Sequence, residues 1–225
     1  MSFNKAKSWN DRLLQMNDLK GKCNAIINKL ALPKDDARTE GFIHIRQFCN
    51  TLAAVPMKLQ QNAEIAKVRP LVMSILGITN SNDLKLCLGD LNKNAKTSFV
   101  TMVQFALENM IEQVLSSIPG EKGFENFSKT SRRLIEVTGI SDAKDKYELI
   151  FVPARIRNSL HAGGIHKKSN ITFVIDGEQY IFEKNKRVSC ASWSHLMHAF
   201  YNGLDVYEDM LLSPVVKAIQ KIEIT

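Results

Sequence analysis

The chain has 225 residues, 44% of them hydrophobic and 24% charged, so it can bury a sizeable core as one large globular domain or one domain with an extension. No apolar run is long enough to span a bilayer and the N-terminal segment lacks the apolar core of a signal peptide, which predicts a cytoplasmic protein with no membrane partner. The net charge of +7 permits an anionic partner, and the four scattered cysteines, without a CxxC pair, predict reduced thiols rather than a zinc knuckle or a disulfide framework.

Apolar residues at helical spacing predict helices through residues 1–90. The predicted segments are a helix over Ser8–Leu32 ended by Pro33, a second over Ala37–Val55 interrupted by Pro56 and continued to Val68, and a short helix from Pro70 ended by Gly77. Ser81 or Asn82 caps a further helix, and the polar stretch Gly89–Asn94 is interpreted as a junction. Residues 1–90 are therefore predicted to form an N-terminal helical extension.

Residues 91–225 are predicted to form a helical bundle that carries a small hairpin. Helices are expected over Thr97–Ile118, Phe124–Val137 and Lys144–Leu160, and from Ser192 to a break at Pro214. Apolar runs at Ile171–Ile175 and Tyr180–Phe182, with Asp176-Gly177 between them, predict an inserted β-hairpin near residues 171–183. Glu108 and Glu112 lie on the flank of the first of these helices, where we expect a solvated face rather than part of a site.

The densest set of chemically active side chains lies in the segment Arg155–Gly164. Arg157 and His161 are four residues apart and share one face of the predicted helix, whereas Arg155 points to nearly the opposite side from Arg157. Gly163 and Gly164 follow where a left-handed C-terminal cap belongs. Arginine matches phosphate oxygens and histidine exchanges protons near neutral pH, so this set suits RNA cleavage without a metal. Alternatively, these basic residues only complement the helix dipole.

Positive charge gathers around this segment. Between Arg155 and Arg187 there are seven basic residues and three acidic ones. The difference of +4 is more than half of the net charge of +7. The basic residues after the motif are predicted to contact RNA: Lys167, Lys168, Lys184, Lys186 and Arg187. A solvated, lysine-rich surface hairpin is an alternative interpretation of the same charges.

The run Arg157-Asn158-Ser159-Leu160-His161, followed by Gly163-Gly164, resembles the signature of HEPN-domain proteins. The resemblance implies a helical bundle that dimerises, often as a metal-independent endoribonuclease of prokaryotic toxin–antitoxin, abortive-infection or other defence systems, with an active site built from both subunits. The family motif is an arginine, often followed by Asn, Asp or His, and then a histidine after four to six intervening residues. Arg157 has Asn158 after it but only three intervening residues, whereas Arg155 has five but is followed by Ile156, so both arginines stay candidates for the family role.

Together these features predict an all-α, HEPN-like homodimer that cleaves RNA to 2′,3′-cyclic phosphate and 5′-hydroxyl ends, without a metal or cofactor. His161 is assigned as general acid and base, Arg157 or Arg155 as transition-state stabiliser, and Asn158 as the residue that orients them. A role as toxin or antiphage effector, with an antitoxin or other regulatory protein as partner, is expected from the resemblance. The alternatives are an inactive HEPN-like module that binds nucleic acid or a protein, and a plain helical interaction protein in which the motif only ends a helix.

Overall fold

The computed structural model describes residues 7–123 and 126–224, and in these residues the protein is mostly helical with one two-stranded antiparallel sheet. The elements are α1 (Trp9–Leu30), α2 (Ala37–Phe48), a π-helical segment (Cys49–Ala54), α3 (Val55–Glu64), α4 (Arg69–Ile75), α5 (Ser81–Ser116), α6 (Phe127–Thr138), α7 (Ala143–His161), β1 (Ile171–Ile175), β2 (Glu178–Phe182), α8 (Trp193–Leu211) and α9 (Pro214–Lys217). None of the described helices has both the length and the apolar surface needed to cross a membrane. The N-terminal segment through Ala6 and the predicted helix start at Phe124 lie outside the described residues.

Capping side chains set the starts of α1 and α8 where the sequence predicts them, whereas the cap predicted at Ser81 or Asn82 is wrong, because Asn80 caps α5. Ser8 caps α1 in a reciprocal pair with Asp11, and Ser192 caps α8. The predicted interruption at Pro56 is wrong: the helix widens through the π-helical segment and continues as α3, which ends at Glu64 rather than Val68. Pro56 lies directly after the π-helical segment, so the missing N–H of proline falls where the regular α-helical hydrogen-bond pattern is already altered.

Helix α5 is the longest element, and other helices pack on it. Its buried side meets α2 and α7, and the ring of Phe99 packs edge-on against Phe200 of α8 with 5.9 Å between centroids. The predicted junction at Gly89–Asn94 is wrong, because α5 runs through those residues without a break. Between Leu84 and Ala95 no side chain of the helix is fully buried. The sequence there consequently lacks the regular spacing of apolar residues by which a helix is predicted. Residues of α1 and α2 share one core with α5, α7 and α8, and the division at residue 90 stays a prediction.

The β-hairpin is confirmed, with β1 and β2 joined by the two-residue turn Asp176-Gly177. Both turn residues have positive φ, 47° and 79°, which is the backbone that a tight hairpin turn requires. The inner face of the hairpin packs on the bundle, and the hydroxyl of Tyr180 donates to the carbonyl of His195 at 3.0 Å. Antiparallel pairing extends to Gly164, whose carbonyl accepts from the N–H of Val188 at 2.9 Å. The hairpin thereby fixes the basic loops next to the end of α7.

The C-terminal tail is held by a buried ion pair at the start of α2. Asp36 and Arg38 have side chains that are 0% and 2% exposed, and their paired contacts measure 2.8 and 2.7 Å. The Arg38 guanidinium also donates to the carbonyls of Val216 and Ile219, while the Asp36 carboxylate accepts from the N–H of Ile222 at 3.2 Å. Burial alone would raise the pKa of Asp36, but the hydrogen bonds from Arg38 and Ile222 outweigh it and hold that pKa below its ordinary value.

We expect Arg38→Met to lower the free energy of unfolding by about 3–5 kcal/mol in urea titrations, because it leaves the Asp36 carboxylate buried and unpaired. The double variant Asp36→Asn/Arg38→Met keeps a capping oxygen without the charge and should recover part of the loss. Since the pKa of Asp36 is depressed on folding, the wild-type contribution is present above the ordinary Asp pKa and is lost as pH falls through the lowered value. A double variant no more stable than Arg38→Met would contradict this account.

Candidate active site

Arg157 lies on the face of α7 that packs against α5. Its Nη1 donates to Oε1 of Glu108 at 2.7 Å, in a pair whose side chains are mostly buried. Its Nε donates to Oδ1 of the neighbouring Asn158 at 3.3 Å, and the guanidinium lies 5.7 Å from the ring centroid of Phe105. The guanidinium is therefore held in one orientation by a carboxylate, an amide and an aromatic ring. Glu108, expected to be solvated, instead reaches the motif.

His161 lies one turn further along the same face of α7. Its Nε2 is 2.9 Å from the hydroxyl of Thr101, and its ring is exposed at the surface. Arg157 and His161 thus both contact α5, as their spacing predicts. Their partners Thr101 and Glu108 are seven residues apart, which is about 10 Å along a helix. The guanidinium and the imidazole are consequently held at separate points of the same face.

Arg155 points to the other side of α7, again as the spacing predicts. Its guanidinium lies 5.0 Å from the ring centroid of Phe151 and 5.5 Å from that of Phe173 in β1. The buried Nε and Nη1 atoms make no hydrogen bond among the described residues. Burial lowers the pKa of Arg155. Of the two candidate arginines, Arg157 is the one that shares a face with His161.

An apolar groove borders His161 where α2, the π-helical segment and α5 meet. It encloses about 480 Å³ and is lined in part by Phe48, Leu52 and Met102. Met102 is 39% exposed and Phe105, one turn further along α5, is 52% exposed. Exposed apolar side chains that lie together on one face suit a protein interface.

A polar cleft of about 450 Å³ opens beside Arg157 and Asn158, between α6 and α7. Lys168 lines this cleft, and with Lys167 it also lines a smaller adjoining hollow of about 90 Å³ that contains Arg155. The predicted RNA-contacting residues are therefore divided, since Arg187 lines a different hollow with Gly163, Gly164, Lys93 and Lys96.

Lys184 and Lys186, which follow β2, line none of these hollows. Lys186 pairs with Glu183 at 2.8 Å, and Lys184 is exposed with its backbone N–H donating to Asn170. Within the described residues, no three His, Cys, Asp or Glu side chains cluster as metal ligands would.

Sequence reasoning missed the residues of α5 that orient the motif. Thr101, Phe105 and Glu108 recur at four- and three-residue spacing, which places them in one row on α5. This row is not part of the fully buried stripe of α5. Phe105 is an exposed phenylalanine between two polar residues of the row, and this is the feature that could have pointed to the row. His166 was also missed: it is buried, and its Nε2 lies 3.0 Å from the carbonyl of Ser169, which ties the loop after α7 together.

A double-mutant cycle measures the Arg157–Glu108 contact. We expect Arg157→Ala and Glu108→Ala to show a coupling energy of about 1 kcal/mol in urea unfolding, because the pair is partly shielded from water. The exposed pair Lys186–Glu183 is the matched control and should couple more weakly. Equal coupling in the two pairs would mean that Glu108 does not hold Arg157 in solution.

Comparisons with known proteins name no family for this chain. No protein-family model matches the sequence, and no match was found among curated proteins or among solved structures. The resemblance of the segment around Arg157 and His161 to HEPN-domain proteins stays a prediction. The case for a function therefore depends on the arrangement of the side chains described above.

Proposed function

We propose that the protein is a HEPN-like, metal-independent endoribonuclease whose active site is completed by a second copy of the chain. One observation carries the proposal: Arg157 and His161 lie on one face of α7 and are oriented by Glu108 and Thr101 of α5. A fixed guanidinium and an exposed imidazole are the two groups that a metal-independent phosphodiester cleavage needs. Asn158, hydrogen-bonded to Arg157, helps to orient it.

In the proposed reaction the ribose 2′-oxygen attacks the adjacent phosphorus and the bond from phosphorus to the 5′-oxygen breaks. The imidazole of His161 takes the proton of the 2′-hydroxyl, and the imidazolium formed in this way gives a proton to the 5′-oxygen as it leaves. The products are a 2′,3′-cyclic phosphate and a 5′-hydroxyl. Because Nε2 of His161 contacts Thr101, we assign Nδ1 to proton transfer. Arg157 stabilises the charge that develops on the phosphate oxygens.

The homodimer belongs to the proposal because the resemblance to HEPN-domain proteins implies a site built from two subunits. Arg157 and His161 must both touch one phosphate, yet within a protomer their partners on α5 are about 10 Å apart along the helix. A twofold axis through this face would bring Arg157 of one protomer towards His161 of the other. The exposed Met102 and Phe105 lie on the same helix as these partners and would be covered in such a dimer.

Arg155 has no part in this reaction, because its guanidinium lies on the opposite side of α7 between two phenylalanine rings. An endoribonuclease that cleaves cellular RNA requires control, so a role as toxin or antiphage effector with a neutralising protein partner belongs to the proposal.

A second candidate is an inactive module that binds nucleic acid or a protein. The observation that favours it is the ion pair with Glu108, which neutralises Arg157 in the free protein. In the ribonuclease, substrate phosphate must compete with Glu108 for the guanidinium. In the binding module, the pair is a permanent part of the fold.

The deciding experiment incubates the purified full chain with a labelled single-stranded RNA in EDTA. We expect His161→Ala to reduce cleavage about 10²–10⁴-fold, because general acid–base catalysis contributes that much. Arg157→Ala should lower the rate comparably, whereas Lys34→Ala, which removes an exposed charge between α1 and α2, should cleave like the wild type. Products should end in 2′,3′-cyclic phosphate. Cleavage to 3′-hydroxyl ends, or cleavage that persists in His161→Ala, would overturn the mechanism, and RNA binding without cleavage would favour the module.

A further inference from the structure

The cleft between α6 and α7 has features that RNA cleavage by Arg157 and His161 does not use. Phe127 and Phe151 form an aromatic wall in it, with ring planes 7° apart and centroids separated by 6.2 Å. Lys129 from α6 and Lys168 from the loop after α7 line the same cleft. Arg157 lines the cleft but His161 does not, so the cleft adjoins the proposed reaction site at Arg157.

The charge of the cleft is strongly positive. The cleft and the adjoining hollow share Phe151, Asn158 and Lys168 as lining residues, so they form one continuous surface. Five basic side chains line this surface: Lys129, Arg155, Arg157, Lys167 and Lys168. The carboxylate of Glu108 is the one acidic side chain in the lining, and it is paired with Arg157. Four basic groups are thus left without an acidic partner in the lining.

Arg155 adds an independent sign of an anionic ligand. Two of its guanidinium nitrogens are buried without a hydrogen-bond acceptor among the described residues, next to the rings of Phe151 and Phe173. An unsatisfied buried cation is costly, and an anion at the mouth of the hollow would offset the cost. Lys167 and Lys168 lie at that mouth, so a phosphate group placed there would meet several positive charges at once.

We propose that this cleft holds a single strand of RNA, with a phosphate bound by Lys129 and Lys168 and a base stacked on the aromatic wall of Phe127 and Phe151. The inference rests on the proposed ribonuclease function for its choice of RNA as ligand. A volume of about 450 Å³ is in the range of pockets that enclose small ligands, enough for one nucleotide. Basic side chains beside aromatic rings are how proteins bind unpaired nucleotides, because only an unpaired base can leave its stack and lie on a ring.

This arrangement places the chemistry and the strand at adjoining parts of α7. Arg157 and His161 carry the chemistry, and Arg157 also lines the cleft. The cleft and the adjoining hollow, with Arg155 and the loop lysines, hold the strand that leads to the reaction. Asn158 lines both the cleft and the hollow and is hydrogen-bonded to Arg157, so it connects the bound strand to the reacting residues.

The test measures binding by fluorescence anisotropy, with His161→Ala as the background so that the RNA survives. The probe is a short labelled uridine-rich RNA, and Lys129→Ala/Lys168→Ala is compared with Lys34→Ala/Lys67→Ala. The control pair is exposed, lies outside the cleft and removes the same charge. The cleft pair should weaken binding about tenfold more than the control and reduce the slope of log affinity against log salt by about 0.7, because the one phosphate that both lysines bind loses its contact.

Two further arms test the base. Phe127→Leu keeps an apolar side chain but removes the ring and should weaken single-strand binding at least about fivefold. The same RNA annealed to its complement should bind more weakly than the single strand. Equal effects of the two lysine pairs, an unchanged affinity of Phe127→Leu, or equal affinity for the duplex would each overturn the cleft proposal. The assay needs no cleavage, so an inactive protein that shows the predicted binding pattern keeps the cleft and overturns the ribonuclease, whereas an active protein without that pattern does the reverse.

Discussion

The candidate site depends on the packing of α7 against α5. Helix α5 has two different neighbouring faces. One is a continuous buried stripe that forms the core, and the other is the row of Thr101, Phe105 and Glu108 that meets the motif. The apolar stripe fixes where α7 lies, and the polar row fixes how Arg157 and His161 are turned. Two side chains on one helix that are held by partners on a second, packed helix are oriented more rigidly than side chains on a loop.

The C-terminal end of α7 is positioned by the two glycines and the hairpin that follow it. Gly163 and Gly164, with φ of 72° and 84°, let the chain leave the helix directly after His161 and turn into the hairpin. Tyr180 then anchors the hairpin: its hydroxyl lies 2.9 Å from Nδ1 of the buried His198 and donates to the carbonyl of His195. Because the hairpin cannot slide, Lys167 and Lys168 are kept beside the cleft. The face with Arg157 and His161, the cleft between α6 and α7 and the hairpin therefore form one connected unit.

The sequence was most informative where a single residue type has a strong local preference. Ser8 and Ser192 marked helix starts, Asp176-Gly177 marked the hairpin turn, and the four-residue spacing of Arg157 and His161 put them on one face. These features depend on neighbours within a few residues, so they can be predicted without knowing the fold. The row on α5 could not be assigned in the same way, since Glu108 becomes part of the site only through a contact with a residue 49 positions away. The misread stretch Gly89–Asn94 is helical because α5 is propagated from both sides, although none of its own side chains is fully buried.

The claim that two protomers share one active site is tested most directly by mixing two inactive proteins. Arg157→Ala and His161→Ala chains are unfolded together, refolded as a mixture, and assayed on single-stranded RNA in EDTA. If Arg157 of one protomer works with His161 of the other, half of the dimers are mixed and each has one intact site. The mixture should then recover about a quarter of the wild-type rate. A mixture as inactive as either variant alone would contradict the shared site.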